Sequence, residues 1–358
     1  MSQSSELPQS AETPSAEVQP ADVLLTPRRS RVSRLTGARV IGVGSSVGQK
    51  VVRNADLAEL GYDADWIVQR TGITERRHAM PEVATSDLAV EAAERCIAAA
   101  GVDRREIDLV LLGTFTPDAL MPATACLVQQ RLGLWAPAID IQAACASYIF
   151  AMITAMQYVV TGCSRMVLVV GADTNSRVLD PADERTYPLF GDAAGAVLIA
   201  PGDDAQGLLG YAVGSDGSGF DLLYRPMGGS RRPFSRNADD YHQQFLQMEG
   251  RPIFKWVVRM LRDTCHEALE TADLTLADID LFIFHQANLR IINSAVKDMQ
   301  LEPSKVFSNL QRYGNTSSAS IPLALDEAYR EGRIQPGSHI LFSGFGGGLT
   351  WGTVVMRW

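Results

Sequence analysis

Two distant stretches of the chain spell the same local structure. Ser86–Ala100 carries apolar residues at helical spacing, with Ser86 as the expected N-cap and Gly101 as the stop. It leads through Val102-Asp103-Arg104-Arg105-Glu106-Ile107-Asp108-Leu109 into the apolar run Ile107–Gly113. Arg259–Ala272 is again helical and leads through Leu274-Thr275-Leu276-Ala277-Asp278-Ile279-Asp280-Leu281 into Ile279–Phe284. Each copy sets an acidic-Ile-Asp-Leu run between a helix and a buried strand. A second echo pairs Met166–Gly171 with His339–Gly344, each an apolar strand arriving at glycine. Repeats spaced this widely indicate a duplicated α/β unit rather than a solenoid. Helices alternating with fully apolar strands imply mixed, mostly parallel sheets covered on both faces. The expected division is 38–210 and 211–358, with the halves meeting around 205–215.

The N-terminal residues 1–37 lie outside this scheme. They hold Ser, Glu, Pro and Gln, then Arg28, Arg29, Arg31 and Arg34, and are expected to form a disordered extension. No apolar core follows a charged start, so they do not read as a secretory signal. The apolar run Ala146–Val160 is short and interrupted by Ser147, Tyr148 and Gln157, which suits a buried core helix better than a membrane span. A net charge of −9 argues against nucleic acid as the main partner, although a local basic patch for an acidic partner stays open. The five cysteines are odd in number and lack a CxxC pair, so neither a disulfide framework nor a zinc site is expected. A reducing, cytoplasmic compartment fits.

Four segments carry candidate chemistry. In Ala138-Ile139-Asp140-Ile141-Gln142-Ala143-Ala144-Cys145-Ala146-Ser147 a short strand runs through small residues to a cysteine and then a long apolar helix. A thiol at a helix N-terminus is biased toward thiolate by the unpaired amides there. The alternative is a buried structural cysteine. In Phe282-Ile283-Phe284-His285-Gln286-Ala287-Asn288 an apolar strand delivers His285 at its C-terminal end, where open α/β sheets bind ligands. By itself that pattern equally fits a core histidine. Asn315, in Gly314-Asn315-Thr316-Ser317-Ser318, stands among turn and cap residues before the helix Ile321–Tyr329. The loop Gly344-Phe345-Gly346-Gly347-Gly348 lets backbone amides approach a ligand closely, for phosphate binding or for an oxyanion hole.

Taken together and in this order, Cys145, His285 in His-Gln-Ala-Asn, Asn315 in Gly-Asn-Thr-Ser and the terminal glycine loop resemble the β-ketoacyl-acyl-carrier-protein synthase III family. Asp65-Trp66-Ile67-Val68-Gln69-Arg70-Thr71-Gly72-Ile73 and Phe190-Gly191-Asp192-Ala193-Ala194-Gly195-Ala196 look like further family motifs. The resemblance spans 38–358. It implies a thiolase fold of five α-β-α-β-α layers in two duplicated halves, and a homodimer. It implies decarboxylative Claisen condensation of acetyl-CoA, or another short acyl-CoA, with malonyl-acyl carrier protein (ACP), initiating fatty-acid synthesis. Related condensing enzymes or acyltransferases of secondary metabolism are the alternative. By resemblance Cys145, His285 and Asn315 are catalytic, and the amides of Cys145 and Gly348 form the oxyanion hole. Trp66, Arg70, Arg185, Met248, Gly250, Arg251, Phe254, Ala287 and Asn288 would line the CoA tunnel. Met121 would border the acyl pocket of the partner subunit, where members often carry an aromatic residue. Lys255, Arg290 and Lys297 would dock the acidic carrier. Neither metal nor cofactor is implied, because acyl-CoA and malonyl-ACP are substrates.

Overall fold

A computed structural model of the chain describes residues 30–358. The repeat in the sequence becomes a repeat in space. One sheet takes β2 (Ala38–Val47), β3 (Leu109–Gly113), β4 (Ala138–Ile141), β5 (Val167–Asp173) and β6 (Ala193–Pro201), in the order β2-β6-β5-β3-β4. The other takes β1 (Arg31–Thr36), β7 (Gly207–Ser215), β8 (Leu281–Phe284), β9 (His339–Gly346) and β10 (Thr350–Arg357), in the order β1-β7-β10-β9-β8. In each sheet the strand after the acidic-Ile-Asp-Leu run pairs in parallel with the glycine-ended strand. β4 also pairs in parallel with β3, and the remaining strands add antiparallel, so the sheets are mixed rather than mostly parallel.

The two copies of Ile-Asp-Leu do the same work. Asp108 accepts the amides of Arg165 (2.8 Å) and Met166 (3.2 Å), where the chain enters β5. Asp280 accepts the amide of His339 (2.9 Å) at the start of β9. A carboxylate on two strand-entry amides holds the parallel neighbour in register, since backbone donors at a strand end otherwise need water or a turn.

Helices form three further layers. α2 (Thr85–Ala100) and α3 (Thr124–Arg131) cover the outer face of the first sheet, where Val110, Leu112, Leu168 and Val170 point. α5 (Gly250–Ala272) and α6 (Leu289–Asp298) cover the outer face of the second, against Phe282, Phe284, Leu341 and Val355. Between the sheets lie α4 (Ser147–Val160) and α7 (Ser320–Arg330). There Ile149, Met152, Met156, Ala324 and Leu325 meet Val167, Val169, Ile283, Phe342 and Val354. Strand alternation does this sorting: Val167 and Val169 face inward while Leu168 and Val170 face out. Each such fully buried side chain contributes roughly 1.5–3 kcal/mol. The layers are α-β-α-β-α, as the resemblance implied. The element α1 (Ala64–Thr71) sits apart, capped by Asp63, whose side chain accepts the amides of Asp65 and Trp66. No helix among the described residues is long and apolar enough to cross a membrane.

Three local expectations are corrected. The extension assigned to 1–37 overlaps a strand: Arg31–Thr36 pairs antiparallel with β7, and Arg34 binds Asp273 at 2.6 Å. Its residues are largely exposed, so no apolar pattern marks it; the pairing is set by the exposed edge of β7, which is remote in sequence. Residues 1–29 lie outside the described residues. The division between halves falls at 202–206 rather than at 210, because all of β7 belongs to the second sheet. At that crossing Gly37 donates to Gln206 O (3.0 Å) and Gly202 donates to Gly37 O (2.9 Å), so the two inter-sheet passages are tied together. Ser86 lies inside α2 rather than capping it. Thr85 begins the helix, and the Asp87 carboxylate accepts the Ala84 amide at 2.7 Å. Gly101 ends it in the left-handed region, as expected.

Candidate active site

The turn before α4 carries the nucleophile candidate. Ala144 has φ +47, an uncommon value for a residue with a side chain. The Ser147 hydroxyl holds this turn, accepting the Ala143 amide (2.8 Å) and donating to Ala144 O (2.6 Å). Cys145 is thereby fixed just ahead of the first turn of α4, with its side chain buried. Burial pushes the thiol up to about 12; a hydrogen bond from Ser317 and the thiol's own amide act in the opposite direction. The helix N-terminus expected from sequence is present, but desolvation dominates.

The glycine loop packs directly on this turn. A Cβ on Gly346 would lie 2.6 Å from Cys145 N and 3.0 Å from Ala144 Cβ, so only glycine fits. Thr350 Oγ1 donates to Ala143 O (2.8 Å), stitching β10 to the same turn. Gly348, at φ +136, lines a cavity together with Cys145.

β8 and β9 deliver the histidine. His285 N donates to Ser343 O (2.8 Å), continuing the parallel pairing one residue past β8. The ring packs edge-on against Phe345, with centroids 5.0 Å apart. Its Nδ1 lies 2.8 Å from Ser320 Oγ, which also accepts the Gln286 amide at 2.7 Å. Burial lowers the imidazole to about 3, so it is neutral at physiological pH.

Asn315 is held by its backbone on both sides: its amide donates to Leu189 O (2.8 Å), and its carbonyl accepts from Gly191 (2.9 Å). Its Oδ1 accepts the Ser317 amide at 2.8 Å. The following residues hang on Asp173 at the end of β5. That buried carboxylate accepts Ser318 N (3.0 Å) and the Ser318 hydroxyl, together with Phe115 N (2.9 Å) and the hydroxyls of Thr114 (3.0 Å) and Thr116 (2.8 Å). Burial raises its pKa, and those donors oppose the rise. The loop reaches β5 only because Gly171 has no Cβ; one there would stand 2.3 Å from Ser318 O.

These elements converge. One cavity of about 120 Å³ is lined by Cys145, His285 and Asn315 together. Met248, Gly250, Phe254, Ala287 and Asn288 line it as well. A second cavity of about 450 Å³ shares Cys145, Phe190 and Leu223 with the first and extends past Ala144, Gly348, Phe220 and Phe234.

The chain is similar to known proteins over most of its length. The family model described as 3-oxoacyl-[acyl-carrier-protein (ACP)] synthase III matches residues 139–217, and its C-terminal counterpart matches 269–358. A β-ketoacyl-[acyl-carrier-protein] synthase III of Rhodopirellula baltica is 50% identical over 345 residues, covering 91% of this chain and 100% of that one. The chain belongs to the 3-oxoacyl-[acyl-carrier-protein] synthase III family. A synthase III of Clostridioides difficile is 45% identical, over 90% of this chain and 99% of its own. The crystal structure of the Thermus thermophilus synthase III superposes with a TM-score of 0.83 at 42% identity, covering 89% of this chain and 99% of that one. A priming β-ketosynthase of the R1128 polyketide pathway superposes at 0.84 with 35% identity, covering 94% and 99%. Members of this synthase III family are acyltransferases, and the chain is one.

Other residues assigned from the family pattern lie outside the first cavity. Asn288 Nδ2 donates to Arg70 O (3.2 Å), and the Arg70 guanidinium lies over the Trp66 ring at 5.9 Å, so this pair stands beside the cavity wall. Arg185 pairs with Asp183 (3.2 Å) and with Glu249 (3.7 Å), next to Gly250. Tyr62 donates to Pro181 O (2.7 Å), which joins the α1 region to the loop of Arg185. Arg251 is exposed at the start of α5 and lines neither cavity, because the helix turns its side chain outward. Met121 is 85% exposed and lines neither cavity in its own chain, whereas Leu120 lines the second. Lys255, Arg290 and Lys297 are exposed on α5 and α6, and the Arg290 guanidinium stacks on Phe254 at 5.6 Å. Among the described residues no cluster of His, Cys, Asp and Glu is arranged to hold a metal.

Sequence reading passed over Ser317, Ser320, Phe345 and Asp173. Ser317 Oγ lies 3.3 Å from Cys145 Sγ, across 172 positions of sequence. Local pattern reads these serines as caps, and only the folded chain brings them to the sulfur and the ring.

Proposed function

We propose that the protein condenses an acyl group from acyl-CoA with malonyl-ACP, giving 3-oxoacyl-ACP, CoA and CO2 and initiating fatty-acid synthesis. The observation that carries this reading is the meeting of Cys145, His285 and Asn315 on one cavity with apolar walls. The Cys145 thiolate attacks the acyl thioester and CoA leaves, which is ping-pong chemistry. The amides of Cys145 and Gly348 hold the oxyanion. In the second half-reaction the neutral His285 ring donates through Nε2, because the Ser320 hydroxyl donates to Nδ1 while accepting from Gln286. Asn315 Nδ2 donates beside it. Both hold the malonyl thioester oxygen as CO2 departs, and the enolate carbon attacks the acyl-Cys145 carbonyl. The reaction so written uses no metal or redox cofactor.

Trp66, Arg70 and Arg185 hold the nucleotide end of CoA outside the channel. Lys255, Arg290 and Lys297 receive the acidic carrier. The protein acts as a homodimer in the reducing cytoplasm, where its five cysteines stay free. Met121 and Leu120, exposed together, face the partner. Light scattering after size exclusion tests the dimer.

The decisive experiment incubates the purified protein with acyl-CoAs from acetyl to longer and branched chains. Intact mass is read with Cys145→Ala as control. Mass gained by the wild type alone, followed by 3-oxoacyl-ACP formation with malonyl-ACP, supports the reading. No adduct from any donor overturns it. The second cavity has room for more than an acetyl group, so the panel also sets the primer.

A further inference from the structure

Ser317 occupies a conformation that residues with side chains seldom hold, with φ +53. Such backbone persists only where the surroundings over-determine it, and such sites cluster where chemistry is done. Here the surroundings are complete. The Ser317 amide donates to Asn315 Oδ1 (2.8 Å), and the next residue is clamped to buried Asp173 through its amide (3.0 Å) and hydroxyl. The backbone is thus gripped on both sides, and its hydroxyl is delivered 3.3 Å from Cys145 Sγ. Both residues are buried, and Ser317 Oγ has no other hydrogen-bond partner among the described residues.

We propose that Ser317 is a further catalytic residue, whose hydroxyl donates a hydrogen bond to the Cys145 sulfur and stabilises the thiolate that takes up the acyl group. The inference rests on Cys145 being the nucleophile. It answers a problem posed by the site. The thiol is desolvated, and the neighbouring imidazole is neutral and so supplies no positive charge. Ionisation must then be favoured by oriented dipoles, namely the amides ahead of α4 and this hydroxyl. A hydrogen bond to an ionised partner is roughly twice as strong as a neutral one.

The step balances. The Cys145 S–H proton leaves to water in the channel, and the sulfur lone pair forms a bond to the acyl carbon. The carbon–sulfur bond to CoA breaks, and CoA departs as a thiolate that takes up a proton. The Ser317 hydrogen stays on its oxygen throughout. Condensation reverses the charge change: the enolate carbon bonds to the acyl carbon, the bond from that carbon to Cys145 Sγ breaks, and the sulfur leaves as a thiolate that the same hydroxyl stabilises. Malonyl decarboxylation, which precedes this, develops no charge on the sulfur, so Ser317 takes no part in it.

The test compares wild type with Ser317→Ala and Ser317→Gly. Glycine suits the positive φ, so the second variant keeps the loop even where alanine strains it. Cys145 alkylation by iodoacetamide is followed by intact mass from pH 6 to 10, and acylation by acyl-CoA is timed alone. CO2 release from malonyl-ACP is timed separately in the Cys145→Ala background, where the Cys145 thiol is absent. In both variants the alkylation profile shifts up by about one pH unit, acylation at neutral pH slows on the order of tenfold, and decarboxylation holds. An unshifted alkylation profile in Ser317→Gly overturns the proposal. Equal slowing of acylation and decarboxylation also overturns it, since that marks a structural role. The alkylation profile needs no acyl donor. It therefore judges Ser317 even where wild type accepts no acyl-CoA, the outcome that defeats the proposed function.

Discussion

Asn315 Oδ1 accepts the Ser317 amide at 2.8 Å, and this contact decides which end of the carboxamide serves the cavity. With the oxygen engaged inside the loop, Nδ2 is left to donate. Asn315→Asp keeps the internal contact and replaces the donor by a second carboxylate oxygen. CO2 release from malonyl-ACP should fall about 10²–10³-fold, the usual effect of losing one oxyanion donor. Acylation timed by intact mass should fall far less. Wild-type CO2 release from Asn315→Asp would remove Asn315 from the proposed mechanism.

The two half-reactions should answer differently to pH. Burial holds His285 near 3, so its ring is neutral and unchanged across pH 5–9. Burial holds the Cys145 thiol near 12, so its ionised fraction rises tenfold per pH unit over the same range. Acylation should therefore climb with pH, while malonyl decarboxylation by Cys145→Ala should stay flat. Stability carries a matching signature. Between about 3 and the ordinary histidine value of 6.5, the unfolded chain binds a proton that the folded site refuses. His285 thus makes stability rise with pH through that window, and lose it as pH falls. Thermal melts at pH 4 and pH 7 should show a larger loss on acidification for wild type than for His285→Gln.

Gly346→Ala should disable the nucleophile turn. The new Cβ would sit 2.6 Å from Cys145 N, a backbone atom that cannot swing aside. Overpacking of this kind costs roughly 1–3 kcal/mol and moves the backbone. Acylation should drop by more than tenfold with a lowered melting temperature. Gly229→Ala is the control, because a Cβ there meets nothing within 4 Å.

What could be read from the sequence was whatever is local or repeated. Cys145 before an apolar helix, His285 at the end of an apolar strand and the paired Ile-Asp-Leu runs all keep their signal within about ten residues. The strand Arg31–Thr36 has no such signal: its side chains are mostly exposed, and only the edge of β7 defines it. Ser317 and Ser320 read as ordinary caps, because their partners, Cys145 and His285, lie 172 and 35 positions away. Ser86 failed as a cap for a related reason. An aspartate one position later supplies the acceptor, and the helix starts where that carboxylate can reach back. Tertiary hydrogen bonds, not composition, assign these side chains.

Trp66→Ala should weaken acyl-CoA binding while sparing chemistry. The indole is 40% exposed beside the cavity wall and carries Arg70 on one face at 5.9 Å. Stacking of a base on an aromatic is worth about 1–3 kcal/mol by alanine substitution. KM for acyl-CoA should therefore rise roughly 5- to 150-fold, with kcat little changed. A changed kcat at constant KM would place Trp66 away from the nucleotide.

The duplicated aspartates offer a stability test of the repeat itself. Asp108 accepts two amides at the mouth of β5, and Asp280 accepts one at the mouth of β9. Hydrogen bonds to a charged acceptor contribute roughly 1.5–3 kcal/mol when shielded, and less when water competes. Asp108 is the less exposed of the two. Asp108→Ala should therefore destabilise more than Asp280→Ala, by about 1–2 kcal/mol in urea unfolding, while Asn at either position retains an acceptor and most of the stability. Both sites are remote from Cys145, so acylation per folded molecule should be unaffected. Equal and negligible losses at both positions would mean that the parallel pairs hold their register through side-chain packing alone.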